Sequence, residues 1–373
     1  NVWNIYPLER YMVIVQNAEG IPIIGQTIYL VDNNSNIIWT AKTDNTGKAE
    51  LWSNMFEETH KDSLTYSIIS KMNDQEYSIP NAKRFENGVN HLTIQSECNL
   101  SNVVDAVFVV DATSSMSDEI NYLKEELTDV MRKVKESNED LVLNLGSVFY
   151  RDHGDEYVTR TSELSSDISK TIDFIQSQTA AGGGDQPEAI DEALEMAVRH
   201  LNWSSDARTK LLFIVMDASP HNGPENLNRL REITYEAAKE GIRIIPLTAS
   251  GINKDTEYLM RSLALCTNGT YVFLTDHSGI GNTHLSPTTD AYDVEKLNDL
   301  IIRLFDQYTA AESCSQDFEQ NSQVVSDTTE IQSRQRLVVD TFPGHKTDGM
   351  KKEMAKITCT YYPNPTTGIV NIE

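Results

Sequence analysis

Hydrophobic residues fall in short runs over the first hundred positions. Tyr11-Met12-Val13-Ile14-Val15, Thr27-Ile28-Tyr29-Leu30-Val31, Ile37-Ile38-Trp39-Thr40 and Lys48-Ala49-Glu50-Leu51 are strand-length segments. Gly20-Ile21-Pro22, Asp32-Asn33-Asn34-Ser35-Asn36 and Thr43-Asp44-Asn45-Thr46-Gly47 separate them. Strands with turn residues at intervals of roughly 8–12 positions predict a small all-β sandwich. The rhythm changes from Asn102 to about Tyr308. Apolar runs at Val103–Val110, Leu141–Phe149, Leu211–Met216, Ile242–Thr248 and Thr270–Leu274 read as buried strands. Helical periodicity lies between them: Ile120, Leu123, Leu127, Val130, Met131 and Val134 form one apolar stripe. A second helix is bounded by Pro224 and Gly241, with proline just inside the start and glycine just past the end. A third opens at Asp293 as N-cap and carries Leu297, Leu300, Ile301 and Leu304. Alternating strands and helices call for a mostly parallel sheet covered on both faces. The expected fold class is α/β, a doubly wound sheet of Rossmann type, preceded by the small sandwich.

Length and composition support that division. The chain has 373 residues, enough for two or three domains. The expected boundaries are a sandwich at 1–98, an α/β domain at 99–312, a polar linker at 313–356 and a further segment at 357–373. The linker follows from Ser315–Gln323, a polar run followed by few apolar residues before Leu337. A net charge of −25, from 31 basic against 56 acidic residues, argues against nucleic acid and anionic membranes as partners. It suits cation binding. No apolar run approaches the roughly 20 residues of a membrane helix. The first residue is Asn1, and the chain is expected to begin after processing or at a cut in a longer protein. The eight histidines show no paired spacing for zinc, and the four cysteines show no metal-finger spacing. Cys266 lies in a helical, apolar context and reads as a buried small hydrophobe.

The candidate chemistry begins where the first buried strand ends. Asp111, Thr113 and Ser115 place one carboxylate and two hydroxyls in one turn ahead of a helix. Ligands bind at the carboxyl ends of strands in open α/β sheets, and hard cations take oxygen ligands. The bland alternative is a helix cap with ordinary turn hydroxyls. A second piece is Thr179-Ala180-Ala181-Gly182-Gly183-Gly184-Asp185-Gln186-Pro187-Glu188, whose glycines permit close backbone approach. Pro187-Glu188 is expected to start the next helix, and the missing Gly-Lys-Ser/Thr ending excludes a phosphate-binding loop. The third piece is Asp217, at the end of a second buried strand, followed by Ser219 and His221, which are expected to shape the loop. In a parallel sheet Asp111 and Asp217 can converge on one point.

These three pieces, in this order, resemble the von Willebrand factor A domain and its metal-ion-dependent adhesion site over roughly Asn102–Tyr308. The family's Asp-x-Ser-x-Ser motif is matched by Asp111, Thr113 and Ser115, with threonine preserving the first hydroxyl. Its strand-end aspartate falls on Asp217. The loop resembles a subgroup reading Gly-Gly-Gly-Asp-x-Pro-Glu, which puts Asp185 at or near the family's threonine ligand, with Thr179 as the alternative. A carboxylate there would leave the metal less electrophilic and weaken its pull on an acidic ligand. The resemblance implies a divalent cation, Mg2+ first and Mn2+ or Ca2+ as alternatives. It also implies a protein partner bound through an acidic side chain, hence cell adhesion. Further similarity to the subgroup lies at Tyr150–Asp155 and Thr275–His284, both expected at the rim of the metal face. Terminal cysteines are disulfide-linked in some members, which implies a Cys98–Cys314 bond.

Two weaker resemblances flank that domain. Gly20–Gly25 and Thr43–Gly47 resemble the carboxypeptidase-regulatory, transthyretin-like modules of secreted proteins. Tyr361-Tyr362-Pro363-Asn364-Pro365-Thr366-Thr367-Gly368 resembles the opening of the type IX secretion C-terminal sorting domain, cut short at 373. It implies recognition by that secretion machinery, passage across the outer membrane, and a secreted or surface location. Catalysis is not expected: no Gly-x-Ser-x-Gly elbow is present, and no carboxylate stands two residues after Asp111. The rival readings are a structural component of an extracellular assembly and, behind it, a metal-dependent hydrolase.

Overall fold

The computed structural model describes residues 1–58, 64–97, 100–184, 186–249, 251–275, 293–311 and 358–362. The expected sandwich forms from β1 (Glu9–Gln16), β2 (Thr27–Val31), β3 (Ile37–Lys42), β4 (Lys48–Ser53), β5 (Ser67–Met72), β6 (Gln75–Ile79) and β7 (Asn90–Thr93). Two sheets, β4-β1-β7 and β3-β2-β5-β6, face each other across Val13, Val15, Ile28, Leu30, Trp39, Leu51 and Ile68. Gly47 is required at its turn: its φ is +73°, and a Cβ there would collide with the Val15 carbonyl.

The second region holds β8 (Val103–Asp111), α1 (Ser117–Ser137), β9 (Val142–Tyr150), β10 (Thr159–Ser165), α2 (Ile168–Ser177), α3 (Ile190–Glu195), β11 (Thr209–Met216) and α4 (Pro224–Glu240). It continues with β12 (Ile242–Thr248), α5 (Lys254–Cys266), β13 (Tyr271–Thr275), β14 (Asp293–Lys296), α6 (Leu297–Thr309) and β15 (Thr358–Tyr362). Among the described residues the sheet order is β10-β9-β8-β11-β12-β13-β15-β14. The five strands from β9 to β13 run parallel, while β10, and β15 against both its neighbours, pair antiparallel. The fold is therefore α/β with a mostly parallel sheet, preceded by a β domain.

Helices cover both faces. Phe108, Val110 and Phe213 meet α1, α2 and α6, and all six residues of the predicted α1 stripe are buried there. Val107, Val109, Leu212 and Ile214 meet α3, α4 and α5. That second core is continuous with the sandwich core, so the two regions share one apolar interior. Trp39 stacks edge-on against Tyr235 of α4 at 5.1 Å between ring centroids, and Thr40 Oγ1 lies 3.0 Å from the Tyr235 hydroxyl. Asp44 accepts from Asn268 Nδ2 at 2.7 Å and pairs with Arg243 at 3.3 Å. Asn45 donates to the carbonyls of Gln307 and Ala310. Cys266 is buried, as expected, with its thiol facing Met55 across the same junction.

α4 starts at Pro224 and ends at Gly241, whose φ of +71° lets its N–H reach the last carbonyls. Two expected helix starts are corrected. Asp293 is not a cap: residues 293–296 pair with β15, so the backbone stays extended and α6 opens at Leu297. Leu297, Leu300, Ile301 and Leu304 are buried as predicted. Nor do Pro187 and Glu188 open a helix. The Glu188 N–H donates to the Ser219 carbonyl at 2.9 Å, holding this segment extended beside Pro220 until α3 begins at Ile190. Cys98, Asp185 and Cys314 lie outside the described residues, as do 276–284, the expected linker and the sorting-domain resemblance beyond Tyr362.

Candidate cation site at the strand ends

β8 and β11 are neighbours in parallel register, so their last residues come out on the same edge of the sheet. Asp111 and Asp217 therefore converge as the apolar pattern predicts. Asp111 is fully buried. Its Oδ1 accepts from the Thr113 N–H at 2.8 Å and from Thr113 Oγ1 at 2.7 Å, which fixes the turn. Ser115 Oγ lies 3.3 Å from Thr113 Oγ1. The turn thus doubles as a local cap, and the two sequence readings describe the same residues.

The other oxygen of each acid has no such use. Asp111 Oδ2, Asp217 Oδ1 and Glu188 Oε2 are all buried, and none has a hydrogen-bond partner. The Tyr150 hydroxyl is also buried and makes no well-aligned hydrogen bond, but it lies close enough to Asp111 to join Thr113 in pulling that carboxyl down. Burial, and then the charge of Asp217, push the Asp111 carboxyl up to about 7, against the pull of Thr113. Burial raises Asp217 too, with Ser115 opposing. Glu188 is pushed up to about 8 by burial and then by Asp111, Asp152, Asp155 and Asp217. Half-buried Glu119 on α1 is raised to about 7, chiefly by burial, with Asp217 adding to it. These carboxylates repel one another and expose lone pairs to a dry interior, an arrangement a bound cation relieves.

The glycine loop packs against this turn. The Ala181 N–H donates to the Ala112 carbonyl at 3.0 Å, and the Ser114 N–H and Oγ donate to the Gly182 carbonyl at 3.2 and 2.7 Å. Gly183 has a φ of +67°, and a Cβ on it would stand 2.7 Å from Thr113 Cβ. The glycines therefore admit the loop onto Thr113 itself. Thr179 is exposed, and its carbonyl accepts from Arg151 Nη2 at 2.8 Å.

The Tyr150–Asp155 segment follows β9 onto the same rim. Arg151 Nε donates to the Ala112 carbonyl at 3.1 Å, joining the Asp111 turn to the glycine loop. Asp155 accepts from the Gly183 N–H at 3.1 Å, and Asp152 lies 2.7 Å from His221 Nε2. Ser219 Oγ meets Thr256 Oγ1, which ties the loop after β11 to α5. Glu188 is the residue the sequence reading passed over. A helix-start reading of Pro187-Glu188 hid it, although a glutamate three positions after Asp185 was a usable signal.

Among the described residues no three His, Cys, Asp or Glu side chains are gathered as a metal cage. The donor set is instead two carboxylates with two hydroxyls, and its orphaned buried oxygens fit a hard cation.

Residues 105–283 match the family model of the von Willebrand factor A domain. An ariadne-like RING finger protein of Acanthamoeba polyphaga mimivirus is 39% identical over 87 residues, 23% of this chain and 9% of that protein. The von Willebrand factor A domain-containing protein 7 of Mus musculus is 33% identical over 129 residues, 35% of this chain and 13% of its own length. The chain thus spans a small part of these relatives. The crystal structure of BatB from Bacteroides thetaiotaomicron aligns with 55% of this chain and 98% of its own, at 14% identity and a TM-score of 0.37. The stretch that matches the von Willebrand factor A domain model holds both strand-end aspartates.

Proposed function

We propose that this protein binds a protein partner through a divalent cation held at the ends of β8 and β11. The observation that carries the reading is the pair of buried, unpartnered oxygens, Asp111 Oδ2 and Asp217 Oδ1, beside the Thr113 and Ser115 hydroxyls. Asp111, Thr113, Ser115 and Asp217 would hold Mg2+, Mn2+ or Ca2+, directly or through water, with Asp185 or Thr179 completing the set from the glycine loop. Bound there, the cation would supply a Lewis-acidic position for an acidic side chain of the partner. Thr113 fixes the rotamer of Asp111, and Arg151 holds the two loops at a set distance. The role is binding and not catalysis. The resemblance at Tyr361–Gly368 supports export through a type IX machinery to an extracellular or surface location.

Capture of partners from the native surroundings, with and without EDTA, tests the reading. Partners retained only with the cation support it. Partners retained equally in EDTA favour the structural-component alternative.

A further inference from the structure

We propose that the cleft between the sandwich and the foot of the parallel sheet binds a small tetrahedral oxyanion, phosphate or sulfate. It lies at the opposite edge of the sheet from Asp111 and Asp217 and is independent of the cation reading. Lys42, Arg208, Lys210 and Arg243 line it, and its acidic groups are Asp44, Glu50 and Glu240. The acidic groups are already matched. Asp44 pairs with Arg243 at 3.3 Å, and the Arg10 guanidinium holds Glu50 at 2.6 and 2.7 Å. Glu240 lies 3.5 Å from Lys42 Nζ in a solvent-exposed pair, which is worth little. Lys210 and Arg208 are left, and among the described residues neither pairs with a carboxylate.

Lys210 is 5% exposed, and its ammonium makes one hydrogen bond, to the Glu240 carbonyl at 3.3 Å. That carbonyl ends α4, where a lysine offsets the helix dipole. The cap engages one of three ammonium N–H groups. Its strand neighbour Asp105 is no substitute, because both oxygens of that carboxylate serve Asn144 and Ser204. Burial, and then the charge of Lys42, hold the Lys210 ammonium below its usual range against the pull of Glu240 and Asp105. Arg208 spends Nε on the Ser101 carbonyl at 2.7 Å and Nη1 on the Thr309 carbonyl at 3.1 Å. Burial lowers this guanidinium too, with no carboxylate opposing it. Cations withdrawn from water are costly unless something compensates them, and an anion in the cleft does so.

The donors choose the anion. A carboxylate pairs best with two parallel guanidinium N–H groups, and Arg208 has committed Nε and Nη1 elsewhere. Ammonium groups are compact point charges with rotatable donors, so Lys42 and Lys210 suit the several oxygens of a tetrahedral ion. Gly241 makes room for Lys42: a Cβ there would stand 3.2 Å from Lys42 Cβ. The sandwich thus supplies one cation and the sheet two, and a bound oxyanion would tie the two regions together. The net charge of −25 repels anions at long range. At physiological salt that field is screened beyond about 8 Å, and the cleft's own cations decide.

The test uses the whole chain, freed of divalent cations and dialysed. Sodium phosphate, sulfate, acetate and chloride are titrated by calorimetry at equal ionic strength. Phosphate or sulfate should give a saturable one-site heat, and acetate and chloride none. Glycerol phosphate beside inorganic phosphate distinguishes a phosphoryl group on a larger molecule from the free ion, and binding of either supports the site. Lys210→Met should weaken oxyanion binding about tenfold or more, the worth of a charged hydrogen bond. In chloride it should unfold no lower than the wild type, because it removes a desolvated charge. The proposal is overturned if neither oxyanion binds, or if Lys210→Met binds as the wild type does and unfolds at a lower temperature, as a helix cap alone would require. Should Lys210→Met not fold, Lys42→Met at the rim takes its place, and unchanged binding by that variant overturns the proposal.

Discussion

Two aspartates on strand β8, six positions apart, are both fully buried and have opposite surroundings. Asp105, near the strand's start, accepts from Asn144 Nδ2 at 2.8 Å, Ser204 Oγ at 3.0 Å and the Ser204 N–H at 2.6 Å. Both its oxygens are used. Asp111, at the strand's end, uses one oxygen for Thr113 and leaves the other bare. The same contrast separates the whole edges of the sheet. At the lower edge Asp44 is buried and paired with Arg243, and that guanidinium, with Lys48, outweighs burial and holds its carboxyl below the usual range. At the upper edge burial wins, and Asp111 and Glu188 are raised. A buried carboxylate satisfied by the chain is structural. One that the chain surrounds with further carboxylates fits the cation proposed above.

That contrast is sharpened first by removing satisfied groups. Asp105→Ala should cost about 3 kcal/mol or more, because two Ser204 donors and the Asn144 amide lose their acceptor. Arg243→Ala should cost about 3–5 kcal/mol by stranding Asp44 in the junction. Asp111→Asn, by comparison, should stabilise the cation-free protein, since it removes repulsion and no satisfied charge. Chemical denaturation in EDTA separates the three.

The pH dependence of the cation-free protein should follow the upper edge. Carboxyls raised in the folded state contribute stability that is present below the ordinary carboxylate range and lost as pH rises through their folded values. Unfolding temperature in EDTA should therefore fall between about pH 5 and pH 8 as Asp111 and Glu188 ionise. Divalent cation should offset that fall. A flat profile in EDTA would show the two edges to be electrostatically alike.

Smaller effects probe the supports. Arg151→Ala should weaken cation binding about tenfold, as removal of an orienting group commonly does, by freeing the glycine loop from the Asp111 turn. Tyr235→Phe at the junction should cost only about 1 kcal/mol, the net worth of its contact with Thr40.

What the sequence revealed follows from how local each signal is. Asp111, Thr113 and Ser115 lie two positions apart, and their turn is set by Asp111 itself, so the residues could be read directly. The α1 stripe and the Pro224–Gly241 helix were legible for the same reason, being consequences of period and end chemistry. Asp217 needed one further step, the parallel pairing of β8 with β11. Glu188 needed a contact between segments 31 residues apart, through Ser219, and no local pattern carries that. Asp293 was misread because a pairing with residues 358–362 overrides a good cap. Thr43–Gly47 was read correctly as a turn, but its Asp44 and Asn45 also lock the sandwich to α6 and β12. Nothing in a turn's composition announces the partner that it will meet.

The proposed function requires that the bare oxygens of the upper edge hold a cation. Calorimetric titration of the EDTA-treated whole chain with MgCl2, MnCl2 and CaCl2, beside Asp111→Ala, tests it most directly. Saturable binding of at least one cation at one site, abolished by Asp111→Ala, is the expected result. Absence of binding by the wild type, or equal binding by wild type and Asp111→Ala, would contradict it.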